Sequence, residues 1–217
     1  MADILRIARE HLATDGAAAL SLRAVARDLG VVSSAVYRYV RSRDELLTLL
    51  VIEGYDALGD AVDAALAQAP DDPLERLRIT ARTVRAWALA EPAWYGLLFG
   101  TPVPGYAAPA DRTITPGTRV IVTLLRIIAR AHDRQLLIRP AVDPPVPGAL
   151  ARDFRRIRDE FEVDLPDWAL ARALTVWCGL FGAVSFDVFD MYGADTFSDR
   201  GQVFDAHLAA LESLLVA

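Results

Sequence analysis

A stretch near the N-terminus, "GVVSSAVYRYVRSRDEL" at residues 30–46, concentrates side chains that can bind a polyanion. Its arginine, tyrosine and serine side chains donate hydrogen bonds to phosphate oxygens, and its small side chains let a backbone approach base edges. The flanking sequence has the apolar stripe of ordinary helices, whereas a helix over this stretch would be too short to bury its polar groups. The chemistry that this pattern favours is binding of nucleic acid.

The charge distribution separates this part of the chain from the rest. The protein has 217 residues and a formal net charge of -6, and all 23 of its basic residues are arginine. Residues 1–50 contain seven arginines and six acids, a net charge of +1, whereas residues 51–217 contain 16 arginines and 23 acids, a net charge of -7. The first fifty residues are therefore the part that least repels a polyanion.

Short helices must position these side chains. Ser21 predicts the start of a helix over 21–28 that ends at Gly30, and Ser33 is expected to cap a third helix over 34–40. Two short helices joined by a tight connection are typical of a helix-turn-helix.

The third helix has too few large apolar residues for a central core element. Val36 and Val40 are expected to face inward. The outward side chains are then Ser33, Ser34, Ala35, Tyr37, Arg38 and Tyr39. Ser21 and Arg43, at the starts of the neighbouring helices, are expected to bind phosphates. Tyrosines near a helix end also cover cores in ordinary bundles, so DNA binding and plain packing both remain open from the layout alone.

The whole chain is predicted to be all-α, because no segment alternates with the two-residue period of a strand. Further helices are expected over 43–67, 72–90, 93–100, 117–135, 147–162, 166–192 and 198–215. We predict an N-terminal three-helix helix-turn-helix DNA-binding domain at residues 1–48. A larger C-terminal helical domain for ligand binding and dimerisation is predicted at residues 49–217.

The segment "LSLRAVARDLGVVSSAVYRYVRSRDELL", residues 20–47, closely resembles the DNA-binding segment of the TetR family of bacterial transcriptional regulators. The opening serine, the central alanine, "LGV", the Tyr-x-Tyr pair and the basic residue before "ELL" carry the resemblance. It implies that Tyr37 and Arg43 clamp the DNA backbone, with Ser21 as a further phosphate contact. The implied base-facing or groove-edge set is Arg23, Ser33, Ser34, Ala35 and Arg38.

The sequence departs from the family pattern at a few positions. Val40 stands where phenylalanine is usual, which implies lighter packing, and Arg43 stands where many members have lysine. In the C-terminal half, "WALAEPAWYGLLFGTPVPGY" and "WCGLFGAVSFDVF" resemble the regulators named for a Trp–His–Gly signature. Phe181 occupies the histidine position of that signature, so a polar contact implied by the subgroup is missing.

Aromatic residues in the C-terminal half are the candidates for an effector pocket. A mainly apolar pocket with a few polar groups is typical of small-molecule sites, although aromatics at helical spacing also occur as ordinary core. The candidates are the aromatic Trp87, Trp94, Tyr95, Phe99, Trp177 and Phe181 and the polar Arg82, Arg85 and Arg126. The expected effector is a small hydrophobic or aromatic molecule.

The last two predicted helices, 166–192 and 198–215, carry a broad apolar face that predicts a homodimer. Two recognition helices one DNA turn apart would then bind a palindromic operator on double-stranded DNA. We predict a repressor whose ligand shifts the helix at 72–90 and so changes that spacing. An activator, a ligand-independent DNA binder and a protein-binding scaffold are the alternatives.

An enzyme is the remote alternative. His11, His132 and His207 are scattered, Cys178 lies in an apolar helical pattern expected to be core, and no phosphate loop or metal-ligand spacing occurs. No catalytic residue, metal site or cofactor is therefore predicted. The single cysteine, the lack of a signal-peptide pattern and the lack of a long uncharged apolar run predict a soluble, cytoplasmic protein without membrane association.

Overall fold

The chain is helical in the computed structural model, which describes residues 1–139, 141 and 145–216. No strand occurs among these residues, so the all-α fold class is confirmed. The helices in chain order are α1 (Ala2–Asp15), α2 (Leu22–Asp28), α3 (Ser33–Tyr37), α4 (Arg43–Ala67), α5 (Pro73–Ala90), α6 (Pro92–Phe99), α7 (Ala110–Asp133), α8 (Gly148–Phe161), α9 (Asp167–Val188) and α10 (Arg200–Glu212). A short 3-10 turn at Ala17–Ala19 precedes α2.

The chain forms two compact units. Unit 1 comprises Met1–Asp60 and Trp87–Arg119, and unit 2 comprises Ala61–Ala86 and Val120–Ala217. Helices α4, α5 and α7 each contribute to both units. The division at residue 48 into a DNA-binding and a sensing domain is a division by role, and it remains a prediction.

The turn between α2 and α3 depends on Gly30, whose φ is +67°. Its N–H donates to the Arg27 carbonyl at 3.0 Å, and the Val31 N–H donates to the Ala26 carbonyl at 3.0 Å. This pair of bonds closes a helix through a left-handed residue, a conformation that glycine adopts without a Cβ penalty. The chain therefore leaves α2 sharply and enters α3 within four residues, as a helix-turn-helix requires.

A single apolar core holds the first four helices of unit 1 together. Its buried members are Ile4, Ile7, Ala8, Leu20, Leu22, Val25, Ala26, Val36, Val40, Leu46, Leu47 and Leu50. We call residues 1–50, which supply this core, the head. Leu97 of α6 and Val103 and Tyr106 of the following loop pack against the same core. The Thr48 hydroxyl donates to the Asp44 carbonyl at 2.8 Å, so Tyr106 is the donor in the 3.1 Å contact between the two hydroxyls.

Unit 2 is held by ion pairs as well as by apolar packing. Arg85 of α5 contacts Asp187 of α9 at 2.7 Å, and the Asp187 side chain is only 5% exposed. Arg78 of α5 makes a two-pronged contact with Glu212 of α10, with its shortest N···O distance at 2.8 Å. The planar guanidinium matches a carboxylate in this geometry, which fixes the register of α5 against α9 and α10.

The boundaries of several helices differ from the sequence prediction, and α3 and α7 are the informative cases. Ser33 is not a cap but the first residue of α3, because Val32 is the N-cap and its carbonyl accepts the Ala35 N–H at 2.9 Å. The expected helix over 34–40 thus ends early, at Tyr37. Helix α7 begins well before the expected residue 117 and contains Pro116, whose position in the second turn removes only one intrahelical hydrogen bond.

Cys178 is exposed, so the expectation that it lies in the core was wrong. The buried face of α9 carries Ala173, Val176, Leu180 and Val184, and Cys178 lies off that face.

Among the described residues, α9 is the one helix long and apolar enough to span a membrane by length and composition. Its buried face contains the charged Asp187, which belongs to the ion pair with Arg85 described above.

Gly54 of α4 lies directly against the indole ring of Trp94. A Cβ built on it would lie 2.2 Å from Cε3 of the Trp94 indole, so Gly54→Ala must displace that ring. We expect a loss of about 1–3 kcal/mol in the free energy of unfolding, measured by chemical denaturation with circular dichroism. Gly148→Ala is the matched control, because no atom lies closer than 4.0 Å to its Cβ position. Equal effects of the two substitutions would contradict the packing described here.

Candidate nucleic-acid interface

Helix α3 and the residues directly after it (38–40) present polar side chains outward and two valines inward. Val36 and Val40 are buried, with 1% and 0% of their surface exposed. The predicted outward residues are placed as follows: Ser34, Tyr37, Arg38 and Tyr39 are exposed, and Ser33 and Ala35 are half-buried. The small residues thus occupy the start of α3, and the large polar ones occupy its last residue and the turn that follows.

Helix α2 packs against α3 and adds two predicted contacts. Arg23 is exposed in its first turn. Ser21 is the N-cap residue of α2, as expected, but its hydroxyl makes no capping hydrogen bond. A hydroxyl at this position that does not cap its own helix is chemically able to donate to a phosphate oxygen.

Arg43, the first residue of α4, is already engaged within the head. Its Nη2 donates to the carbonyl oxygens of Ala17 at 3.0 Å and Ala18 at 3.1 Å, which ties the 3-10 turn to the start of α4. Its side chain remains 32% exposed. Arg43 therefore has a structural role that the sequence did not predict. Its expected contact with a phosphate remains a prediction, and it would use guanidinium N–H groups that do not bind Ala17 or Ala18.

The start of α4 has its own cap. The Ser42 hydroxyl accepts the Glu45 N–H at 3.1 Å, and the Glu45 carboxylate accepts the Arg41 N–H at 2.7 Å. This reciprocal arrangement satisfies two backbone donors that a helix start leaves open. Ser42 therefore caps the start of α4.

Two exposed valines belong to the same surface and were missed from the sequence. Val31 is 44% exposed and Val32 is 71% exposed, directly before α3. Apolar contact with a thymine methyl group is one way in which proteins read DNA bases. The available signal was two adjacent β-branched residues in a connection that buries neither of them.

A histidine–aspartate contact joins α1 to the end of α2. His11 Nε2 lies 2.6 Å from Oδ2 of Asp28, and Arg27 Nε donates to Oδ1 of Asp28 at 3.1 Å. These hydrogen bonds, with that of His11 the larger effect, hold the pKa of the Asp28 carboxyl below its usual value of 3.8. The contact fixes the helix that supports α3.

The aromatic effector candidates in unit 1 divide between a cleft and the core. Trp87 and Trp94 line a cleft of about 750 Å³. Tyr95 is fully buried, and its ring centroid lies 5.1 Å from that of Phe99. Phe99 in turn meets Tyr55 edge to face at 5.9 Å. The structure therefore brings Trp87 and Trp94 together at a cavity and places Tyr95 in ordinary packing.

Two of the effector candidates in unit 2, Arg82 and Arg85, form ion pairs. Arg82 pairs with Asp205 at 3.1 Å, and the Arg85–Asp187 pair has been described. Arg126 is exposed and lines a groove of about 380 Å³ with Arg76, Arg130 and Asp63. The rings of Trp177 and Phe181 on α9 lie 4.1 Å apart. Among the described residues, no group of three His, Cys, Asp or Glu side chains is placed to hold a metal ion.

Family models match both parts of the chain. The model described as bacterial regulatory proteins, tetR family, matches residues 4–50, and the tetracyclin repressor-like C-terminal domain matches residues 77–211. These matches confirm the resemblance seen at residues 20–47. They do not name the Trp–His–Gly subgroup, which stays a prediction.

Curated relatives and solved structures agree with these matches. The chain is 44% identical over 218 aligned positions to the HTH-type transcriptional regulators Mb1846 of Mycobacterium bovis and Rv1816 of Mycobacterium tuberculosis, covering 99% of this chain and 91% of each relative. The crystal structure of the regulatory protein SCO4313 superposes with a TM-score of 0.78 at 34% identity, covering 98% of this chain and 94% of that one. A protein of unknown function from Rhodococcus sp. RHA1 shares the fold, with a TM-score of 0.73, 22% identity and coverage of 99% and 94%.

Asp28→Asn tests the tie between α1 and α2 through its pH dependence. Because the folded-state pKa of Asp28 lies below 3.8, the contact stabilises the fold above that pH and is lost as the pH falls through the folded-state pKa. We expect the variant to melt below the wild type at pH 7 and the two melting curves to converge as the pH falls from 7 to below the folded-state pKa of Asp28. Asp195→Asn, at an exposed site outside the head, is the control. A difference that stays constant across this range would contradict the assignment.

Proposed function

We propose, because the chain belongs to the TetR family of bacterial regulatory proteins, that it represses transcription from a palindromic operator and is released by a small hydrophobic or aromatic ligand. Membership makes the chain a DNA-binding transcriptional regulator, and the family is one of regulators rather than of enzymes. The direction of regulation, the release by ligand and the residues involved are what we add. We also propose a cytoplasmic location, where such a regulator meets its operator.

The observation that carries this function is the placement of α3. Val36 in α3 and Val40 in the turn after it are buried, and the outer side of this segment offers hydroxyl and guanidinium groups, with Tyr37 44% and Tyr39 54% exposed. An isolated helix of this length has no stability of its own, so only the core of the head can hold it in place. Such a helix suits the major groove, which is about 12 Å wide.

A palindrome requires two copies of the chain, and we propose that α9 and α10 form the dimer interface. A Cβ on Gly179 would lie 2.5 Å from Leu211, so the two helices pack closely within one chain. The outer side of α9 leaves Thr175, Cys178 and Phe186 exposed. A second α9–α10 pair covering this side gives a four-helix interface with two-fold symmetry.

The proposed effector acts on the spacing of the two recognition helices, about 34–36 Å on the operator. Within unit 1, α6 carries Trp94 at the cleft and Leu97 against the core of the head. A ligand in the cleft would therefore contact α6, which packs against the core that supports the proposed DNA-binding residues. It shifts binding only by its differential affinity for the two states, and a tenfold release corresponds to about 1.4 kcal/mol.

Selection from a random duplex pool with the purified protein tests DNA reading. We expect enrichment of a palindrome whose affinity falls steeply as salt rises, because arginine–phosphate contacts release counterions. Arg38→Ala is expected to cost about 1–3 kcal/mol of operator binding and to relax base preference at one position in each half-site.

Arg156→Ala is the matched control for this substitution, because it removes the same charge from an exposed position on α8. It should leave both the affinity and the enriched sequence unchanged. If both arginine variants bound the selected site as the wild type does, α3 would not be the recognition helix.

Cys178→Arg tests the dimer interface. A charged, long side chain on the outer side of α9 would be buried without a partner in the proposed interface, so we expect a monomer by sedimentation. Operator affinity should fall at least about tenfold, because the two half-sites are no longer bound together. Leu150→Arg, on the exposed part of α8, is the control. A dimeric Cys178→Arg protein would move the interface elsewhere.

A further inference from the structure

The cleft in unit 1 lies where α1, α4 and the α5–α6 corner meet. Its volume of about 750 Å³ falls inside the range of roughly 300–1,000 Å³ that is common for small-ligand sites. Apolar side chains such as Leu12, Ala57 and Pro92 form part of its wall. The cleft thus has the size and lining of a small-molecule site, and its charges indicate which class of molecule suits it.

The charged residues of the cleft leave a net negative charge. Arg6 is paired with Glu10 at 2.8 Å along α1. Arg9 stands 3.6 Å from Oε1 of Glu53, which is too long for a hydrogen bond. Glu91 is the third acid in the lining and is exposed. Two arginines and three glutamates give the lining a charge of -1.

Glu53 is the focus of this imbalance. Its Oε2 is buried and, in the part of the chain that the structure describes, has no hydrogen-bond partner. Buried carboxylate oxygens are normally hydrogen-bonded, so an oxygen without a partner leaves the negative charge of Glu53 less compensated than usual. Attraction between charges acts over several ångströms, so a cation in the cleft gains from Glu53 without touching Oε2 itself.

Two indoles complete the lining. Trp87 is half-buried, and Trp94 is 7% exposed and is held against Gly54 of α4. The face of an indole is the strongest cation–π partner among protein side chains, and organic cations are bound by aromatic residues in this way. Two tryptophans and an under-compensated carboxylate in one lining favour a positive charge on an apolar body.

We propose that this cleft binds an organic monocation with an apolar body and that such molecules are the effector class of this regulator. The second part rests on the proposed function, whereas the binding site does not. Arg9 of α1 belongs to the head, Glu53 lies on α4 just beyond it, and both line the cleft. An occupant therefore contacts the helices that support α3 directly.

Isothermal titration calorimetry with two probes of the same shape and opposite charge tests the site. Tetraphenylphosphonium and tetraphenylborate present nearly the same apolar surface, so their difference in affinity isolates the charge preference. The wild-type protein is expected to bind the phosphonium at least about tenfold more tightly than the borate. Equal affinity, a preference for the borate, or no binding of either probe would overturn the cation site.

Glu53→Gln is expected to weaken phosphonium binding about tenfold and to leave borate binding unchanged or tighter. Asp164→Asn, which makes the same charge change at an exposed site outside the cleft, should bind both probes as the wild type does. Ala57→Arg places a cation in the cleft and should abolish phosphonium binding even if Glu53→Gln fails to fold. Unchanged phosphonium affinity in Ala57→Arg would place the probe elsewhere and sink the proposal.

Operator binding measured with and without the phosphonium separates the two parts. Site and effector class both hold if phosphonium binds in the cleft and lowers operator affinity in the wild type but not in Ala57→Arg. Binding in the cleft with unchanged operator affinity would retain the site and overturn the effector role. Absence of any selected operator, with the phosphonium still bound, would overturn the proposed function and leave the cation site standing.

Discussion

Burial of Val36 and Val40 holds the proposed DNA-binding surface of this protein in place. Helix α3 has five residues, and a helix of that length cannot persist in water without tertiary contacts. Val36 and Val40 supply those contacts, and full burial of each side chain is worth about 1.5–3 kcal/mol. The left-handed turn at Gly30, the cap at Ser42 and the contact between α1 and α2 all position the partners of these two side chains.

The sequence was sufficient for the inward and outward positions of α3 and the residues directly after it, because a mainly polar segment with Val36 and Val40 has one way to bury both. It was not sufficient for the exact ends of the helix. Those ends depend on which backbone carbonyls accept hydrogen bonds, and Val32 rather than Ser33 provides the first. The hydrogen bonds from Arg43 to Ala17 and Ala18 could not be predicted either. They join residues that are 26 and 25 positions apart in the chain, through a turn that has no sequence signature.

The proposed effector site was harder to predict from the sequence than the proposed DNA-binding surface. Aromatic residues at helical spacing have the same pattern whether their rings face a cavity or a core, and only the structure separates Trp94 at the cleft from Tyr95 in the packing. Charge gave no better guide: Arg85 reads as a free polar group in sequence, yet Asp187, 102 positions later, neutralises it. Glu53 has no distinguishing context in sequence at all. Glu53 is of interest because its Oε2 is buried and has no hydrogen-bond partner among the described residues.

The way in which α6 and its following loop pack on the head has a consequence for protein engineering. Regulators of this type invite the exchange of DNA-binding parts between proteins by joining two sequences at one point in the long helix. In this chain a junction after Gly54 would separate Thr48 from Tyr106 and Gly54 from Trp94, which are partners in one compact unit. The transplantable module is therefore discontinuous. A working chimera must carry two segments, the head with the first part of α4 and the stretch from Trp87 to Arg119.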